Sequence, residues 1–77
     1  MTPPTLADLT TRQRQVLALI AEGCGKADIA RRLSISPHTV STHTARIYDR
    51  IGRGAGNPRV AAVLWYLRQA ATAPDGP

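Results

Sequence analysis

"KADIARRLSISPHTVSTHTARIYDRIG", residues 26–52, holds two helical segments joined by a short turn, and its reading decides the fold. Ser36 followed by Pro37 is the preferred way into a helix. A side-chain oxygen caps free backbone N–H groups, and a residue of fixed φ takes the first helical position. Gly52 supplies the stop. Between them Val40, Thr44, Ile47 and Ile51 share one stripe at helical spacing. His38, Ser41, Thr42, Ala45, Arg46 and Asp49 occupy the opposite face. The preceding segment, 26–33, carries Asp28 near its start, where the helix dipole favours an acid. Ile29 and Leu33 point inward, Ala30 permits close approach of another helix, and Ile35 plugs the angle between the two helices.

Working outward, two more helices are expected, over 11–22 and 58–71. Thr10 with Gln13 forms a capping box, Val16, Leu17 and Ile20 share a face, and Gly23 accepts the left-handed closing conformation. Arg12 and Arg14 fall in the first turn, where the dipole disfavours cations, so an external anion is the better explanation for them. Asn57 and Pro58 repeat the cap-plus-proline signal. In the last helix Val60, Val63, Leu64 and Leu67 read as the core stripe, leaving Ala61, Ala62, Trp65 and Tyr66 outside it. Residues 1–8 read as a flexible arm, 52–57 ("GRGAGN") as a flexible loop and 72–77 as a flexible tail. The chain is therefore expected to be all-α, a single four-helix domain over 9–71.

Composition agrees. With 77 residues, one domain is the sensible count, and 43% apolar content is too much for a disordered chain. There is no Phe, so Leu, Ile, Val and Ala must build the core. Net charge is +5, and seven basic residues against two acidic ones lie between Lys26 and Arg59. That distribution favours a nucleic-acid partner. Cys24 is the only cysteine, which rules out an internal disulfide and reads as a small buried hydrophobe past a helix end. No apolar run is long enough for a membrane span or signal peptide, so no membrane partner and a cytoplasmic location are expected.

Segments 26–33 and 37–51 with their turn make a helix-turn-helix signature, a first helix across the backbone and a second in the major groove. The surrounding sequence resembles the LuxR-type (GerE/FixJ-like) helix-turn-helix domain of bacterial transcription regulators. The resemblance rests on Leu9, Thr10, Arg12, Val16, Leu17, Gly23, Ile29, Ala30, Leu33, Ile35, Ser36, Thr39, Val40, His43, Ile47, Ile51 and Gly52, and extends to Val60 and Val63. It implies a four-helix DNA-binding domain that commonly pairs through its last helix. It also implies a sensor or receiver domain in most relatives; the initial Met and short arm here favour a stand-alone regulator over an excised domain. Departures are specific. Ser41 and Ala45 replace residues that are often basic, Asp49 sits at an often basic position, Gln13 and Gln15 replace two glutamates, and Ser34 stands where Gly is common. Ser34 is thus expected in a strained or left-handed conformation.

Contacts sort by chemistry. His38, Ser41, Thr42, Ala45 and Arg46 are expected to face bases, with Arg46 alone able to offer a fork to guanine. Arg12, Arg14, Lys26, Arg31, Thr39, His43, Arg50 and Arg53 are phosphate candidates. For His43 the competing reading is a half-buried packing residue. Arg59 and Arg68 are expected in solvent, and Asp49 to oppose phosphate unless it pairs with Arg46 or Arg53. Ala61, Ala62, Trp65 and Tyr66 are expected to form a two-fold dimer interface, with Trp65 folding back over the first helix as the alternative. The partners expected are double-stranded DNA and a second copy, with RNA polymerase or a related regulator as further partners. The competing function is a protein-interaction module that heterodimerises with a related regulator and antagonises it. His38 and His43 lie on different sides of their helix without a carboxylate or thiol beside them, so no metal, no cofactor and no catalysis are expected.

Overall fold

Three of the four main helices, those that begin at Thr11, Pro37 and Pro58, start at a side-chain cap written into the sequence. The computed structural model describes residues 4–52 and 56–72. A short 3-10 turn, Leu6–Asp8, precedes α1 (Thr11–Ala21), α2 (Lys26–Leu33), α3 (Pro37–Ile51) and α4 (Pro58–Thr72). Among the described residues every regular element is helical, so the fold is all-α with four main helices. At α1, Gln13 N–H donates to Thr10 Oγ1 at 3.1 Å while Thr10 N–H donates to Gln13 Oε1 at 3.0 Å. At α3, Thr39 N–H donates to Ser36 Oγ at 3.1 Å. Asn57 Oδ1 accepts from the N–H groups of Arg59 and Val60 at 2.9 and 3.3 Å. These bonds occupy backbone donors that a helix start leaves unpaired.

The turns between helices are set by three residues. Gly23, at φ +93°, closes α1. Ser34 adopts φ 56°, ψ 43°, the left-handed conformation expected of it, at a cost of about 1–2 kcal/mol for an L side chain. Ile35 N–H then donates to Ala30 O at 3.0 Å, which locks the turn before α3. Gly52 is required for a different reason. Its φ is −86°, but a Cβ there would stand 2.8 Å from Tyr48 O and 3.1 Å from Pro58 Cβ. The Tyr48 carbonyl at the end of α3 leaves no room for a Cβ, and the start of α4 crowds it further.

The core draws on all four helices: Val16, Leu17 and Ile20 from α1, Ile29 and Ala30 from α2, Val40, Ile47 and Ile51 from α3, and Ala62 and Trp65 from α4. Leu9 and Cys24 join it, and Ile35 packs against it from the turn, as expected. α3 packs on α1, α2 and α4, so the helix proposed to act is also the one most enclosed on its inner side.

Two expectations are corrected. Residues 4–8 are not a loose arm: Thr5 and Asp8 cap the 3-10 turn, with Thr5 N–H donating to Asp8 Oδ2 at 2.7 Å, and Leu6 packs against the core. α4 is rotated from the expected face. Val60, Leu64 and Leu67 are 49%, 52% and 50% exposed, whereas Ala61, Ala62 and Trp65 are 8%, 0% and 8% exposed. Residues 60–67 are apolar without a break, so periodicity could not choose the face. Packing chose it: two alanines let the α4 backbone approach α1 and α3, and Trp65, the largest side chain, fills the space beside them. Ala61, Ala62 and Trp65 therefore belong to the protomer's interior and not to a dimer interface. Tyr66, half-buried, packs against the same core. Residues 1–3 of the expected arm, 53–55 of the expected loop, with phosphate candidate Arg53, and 73–77 of the expected tail lie outside the described residues.

Candidate nucleic-acid interface

The buried stripe of α3 fixes which of its residues face outward. Val40, Ile47 and Ile51 are buried, and Thr44, half-buried among them, donates its hydroxyl to Ser41 O at 2.9 Å. His38, Thr42, Ala45 and Arg46 are left exposed on the other side, with Ser41 half-buried at the margin. This surface carries no acid between positions 38 and 46; Asp49, exposed further along the same face, is an acid on it. Thr42 Oγ1 donates to His38 O at 3.2 Å, turning its hydroxyl back on its own helix.

Arg46 is placed at an edge. It lines an open depression of about 260 Å³ with Asp8, Thr10, Gln13, Asp49 and Arg50. The depression joins the start of α1 to the second half of α3. Arg46 and Arg50 thus share a polar surface with the capping box of α1, and acids and cations meet there. Asp49 lines the depression with them.

The phosphate candidates occupy different settings, and Lys26 lies beside Ile20, Ile29, Val40, Thr44, Tyr48 and Arg59. Arg14 and Lys26 are exposed, and Arg14 Nη2 donates to Thr11 Oγ1 at 3.4 Å. Arg12 is half-buried. Arg31 is paired with Asp28, its side chain remaining 77% exposed, and Arg32 reaches the same carboxylate at 3.4 Å. Thr39 Oγ1 lies 2.9 Å from Ser36 Oγ, so it is tied into the cap of α3. His43 is half-buried; its Nδ1 is sealed from solvent without a hydrogen-bond partner, which leaves Nε2 as its nitrogen for an external acceptor.

Sequence reasoning missed a strut beside this surface. Arg59, expected in solvent, donates from Nη2 to Cys24 O at 3.2 Å and so ties the start of α4 to the α1–α2 connection. The bond spans 35 positions and has no local signal. Burial first, and then a hydrogen bond to the Asp28 carboxylate, push the Cys24 thiol upward from its ordinary range. The same bond, with Arg32 and Arg31 alongside, holds the Asp28 carboxyl below its ordinary range despite partial desolvation. A thiol held protonated is a weak nucleophile. No three His, Cys, Asp or Glu side chains assemble for a metal ion among the described residues, nor is any described helix long and apolar enough to cross a membrane.

Residues 7–65 match the family model for bacterial regulatory proteins of the luxR family. A Mycobacterium tuberculosis protein named as an HTH-type transcriptional regulator, Rv0890c, is 46% identical over 44 residues, 57% of this chain and 5% of that protein. A transcriptional regulatory protein of the same species, NarL, is 39% identical over 66 residues, covering 86% of this chain and 29% of that protein. The Escherichia coli transcriptional regulatory protein UhpA is 41% identical over 44 residues, 57% of this chain and 22% of that protein. The chain thus spans less than a third of the length of each of these relatives. No solved structure matches it significantly.

Proposed function

The chain belongs to the luxR family of bacterial regulatory proteins, a family of DNA-binding transcription regulators, and from that premise we propose that it binds specific double-stranded DNA with α3 in the major groove. The carrying observation is the outward face of α3: His38, Thr42, Ala45 and Arg46 stand exposed on a helix whose other side is anchored in the core. A groove about 12 Å wide accepts one such helix. Ser41 sits at the margin of the contact. Arg12, Arg14, Lys26, Arg31 and Arg50, with Thr39 and His43, serve phosphates; Arg53 is assigned with them by sequence position. If about four to six of these contacts form, affinity falls with salt at a log–log slope of about −4 to −5 per monomer.

Two copies pair through α4 on a DNA site with dyad symmetry. Val60, Leu64 and Leu67 recur at i, i+4 and i+7 and leave an apolar stripe on the surface of an otherwise packed helix. A second copy presents the same stripe, so the contact is self-complementary. The protein acts in the bacterial cytoplasm, where RNA polymerase or a related regulator is its further partner.

Selection from a random duplex library, followed by salt titration, tests the assignment. An enriched dyad motif with a steep salt slope is expected, and absence of binding near physiological salt would refute it. Arg31→Ala then weakens binding to all sequences alike, whereas Arg46→Ala relaxes preference at one position.

A further inference from the structure

We infer that the base-reading surface is selective for thymine methyl groups, through Thr42 and Ala45. This deepens the DNA-binding assignment above and rests on it. A threonine in a groove has two ways to read a base, through its hydroxyl or through its methyl. Here the hydroxyl proton is used: Thr42 Oγ1 donates to His38 O, four residues back, at 3.2 Å. Donation to guanine O6 or N7, or to thymine O4, would break that bond. What Thr42 keeps for an outside partner is its γ-methyl and a lone pair.

Ala45 is three residues on, exposed, and adjacent on the same helix face. It offers a methyl and nothing else. The two residues are separated by about 4.5 Å along the axis, at about 1.5 Å per residue. That is close to the base spacing of about 3.4 Å along a strand, so the pair addresses neighbouring base pairs. The only base atom in the major groove that rewards an apolar contact is the thymine 5-methyl.

The neighbouring groups do not compete for this role. Ser41 is half-buried at the margin. Arg46 lines the depression shared with Asp8, Thr10, Gln13, Asp49 and Arg50, a lining that includes neither Thr42 nor Ala45.

The experiment uses the full 77-residue chain and the duplex selected from a random library. Each thymine is replaced singly by deoxyuridine, which removes the methyl and nothing else. Affinity is expected to drop about fourfold at two neighbouring positions, the weight of one buried methyl each. Thr42→Ser, which keeps the hydroxyl, abolishes the thymine–uracil difference at one position. Thr42→Val, which keeps the methyl and discards the hydroxyl, preserves it. Sequence-specific binding that is indifferent to every uracil replacement overturns the inference and leaves the DNA-binding assignment standing. So does a thymine preference that survives in Thr42→Ser and vanishes in Thr42→Val. Failure to bind any duplex overturns the assignment itself, and the inference with it.

Discussion

Leu64→Lys separates pairing from folding and from DNA contact. Full burial of a leucine stabilises by about 1.5–3 kcal/mol. Leu64 is 52% exposed in the protomer, so roughly half of that, about 1 kcal/mol, is still available to a partner. Val60, Leu64 and Leu67, each near half exposed, contribute six such surfaces in a dimer, about 5–6 kcal/mol in gross terms. Association itself costs about 4–15 kcal/mol. The apolar stripe therefore does not hold a dimer together at micromolar concentration. It suffices once a duplex has brought two copies side by side. Leu64→Lys removes one leucine from each copy, about 2 kcal/mol, and so weakens binding to a two-half-site duplex about thirtyfold. Binding to a duplex with a single half-site stays unchanged. Lysine has nearly the helix propensity of leucine, so thermal unfolding stays close to the parent. Fluorescence anisotropy on both duplexes, with circular dichroism on the free protein, supplies the three readings. An equal loss on both duplexes, or no loss on the two-site duplex, refutes the pairing through this stripe.

Trp65→Ala tests the reassignment of the same helix. Trp65 is a core residue at 8% exposure, and its truncation is expected to destabilise by about 3–5 kcal/mol in urea unfolding, much of the stability of a domain this size. A stable, monomeric Trp65→Ala would return Trp65 to the surface. Ser34→Gly removes a side chain from a left-handed backbone at φ 56° and should raise the urea midpoint by the equivalent of about 1 kcal/mol. Asp28 is held below the ordinary carboxylate range, so its contribution is fully present above that range and is lost as pH falls through its lowered folded value. Asp28→Asn should therefore lower stability at neutral pH and flatten the acid limb of the pH–stability curve below about pH 4.

The sequence by itself determined the caps and stops, and with them the helices. Thr10, Ser36, Asn57 and Gly23 act within three or four residues of where they stand, so their meaning is local and legible. It also determined the inner and outer faces of α3, because polar and apolar residues alternate there at one clear period. Since the outer face is the candidate site, most of that site was legible before the fold was. Tertiary structure decided what the pattern left degenerate. Along residues 60–67 every position is apolar, so only the shape of the cleft offered by α1 and α3 could turn Trp65 inward and Leu64 outward. It also decided contacts that join distant segments: Arg59 on the Cys24 carbonyl, Gly52 against Pro58, and Arg46 beside the cap of α1. Local sequence encodes the conformation of a segment. Which of two equally apolar faces is buried depends on the volume left by the others.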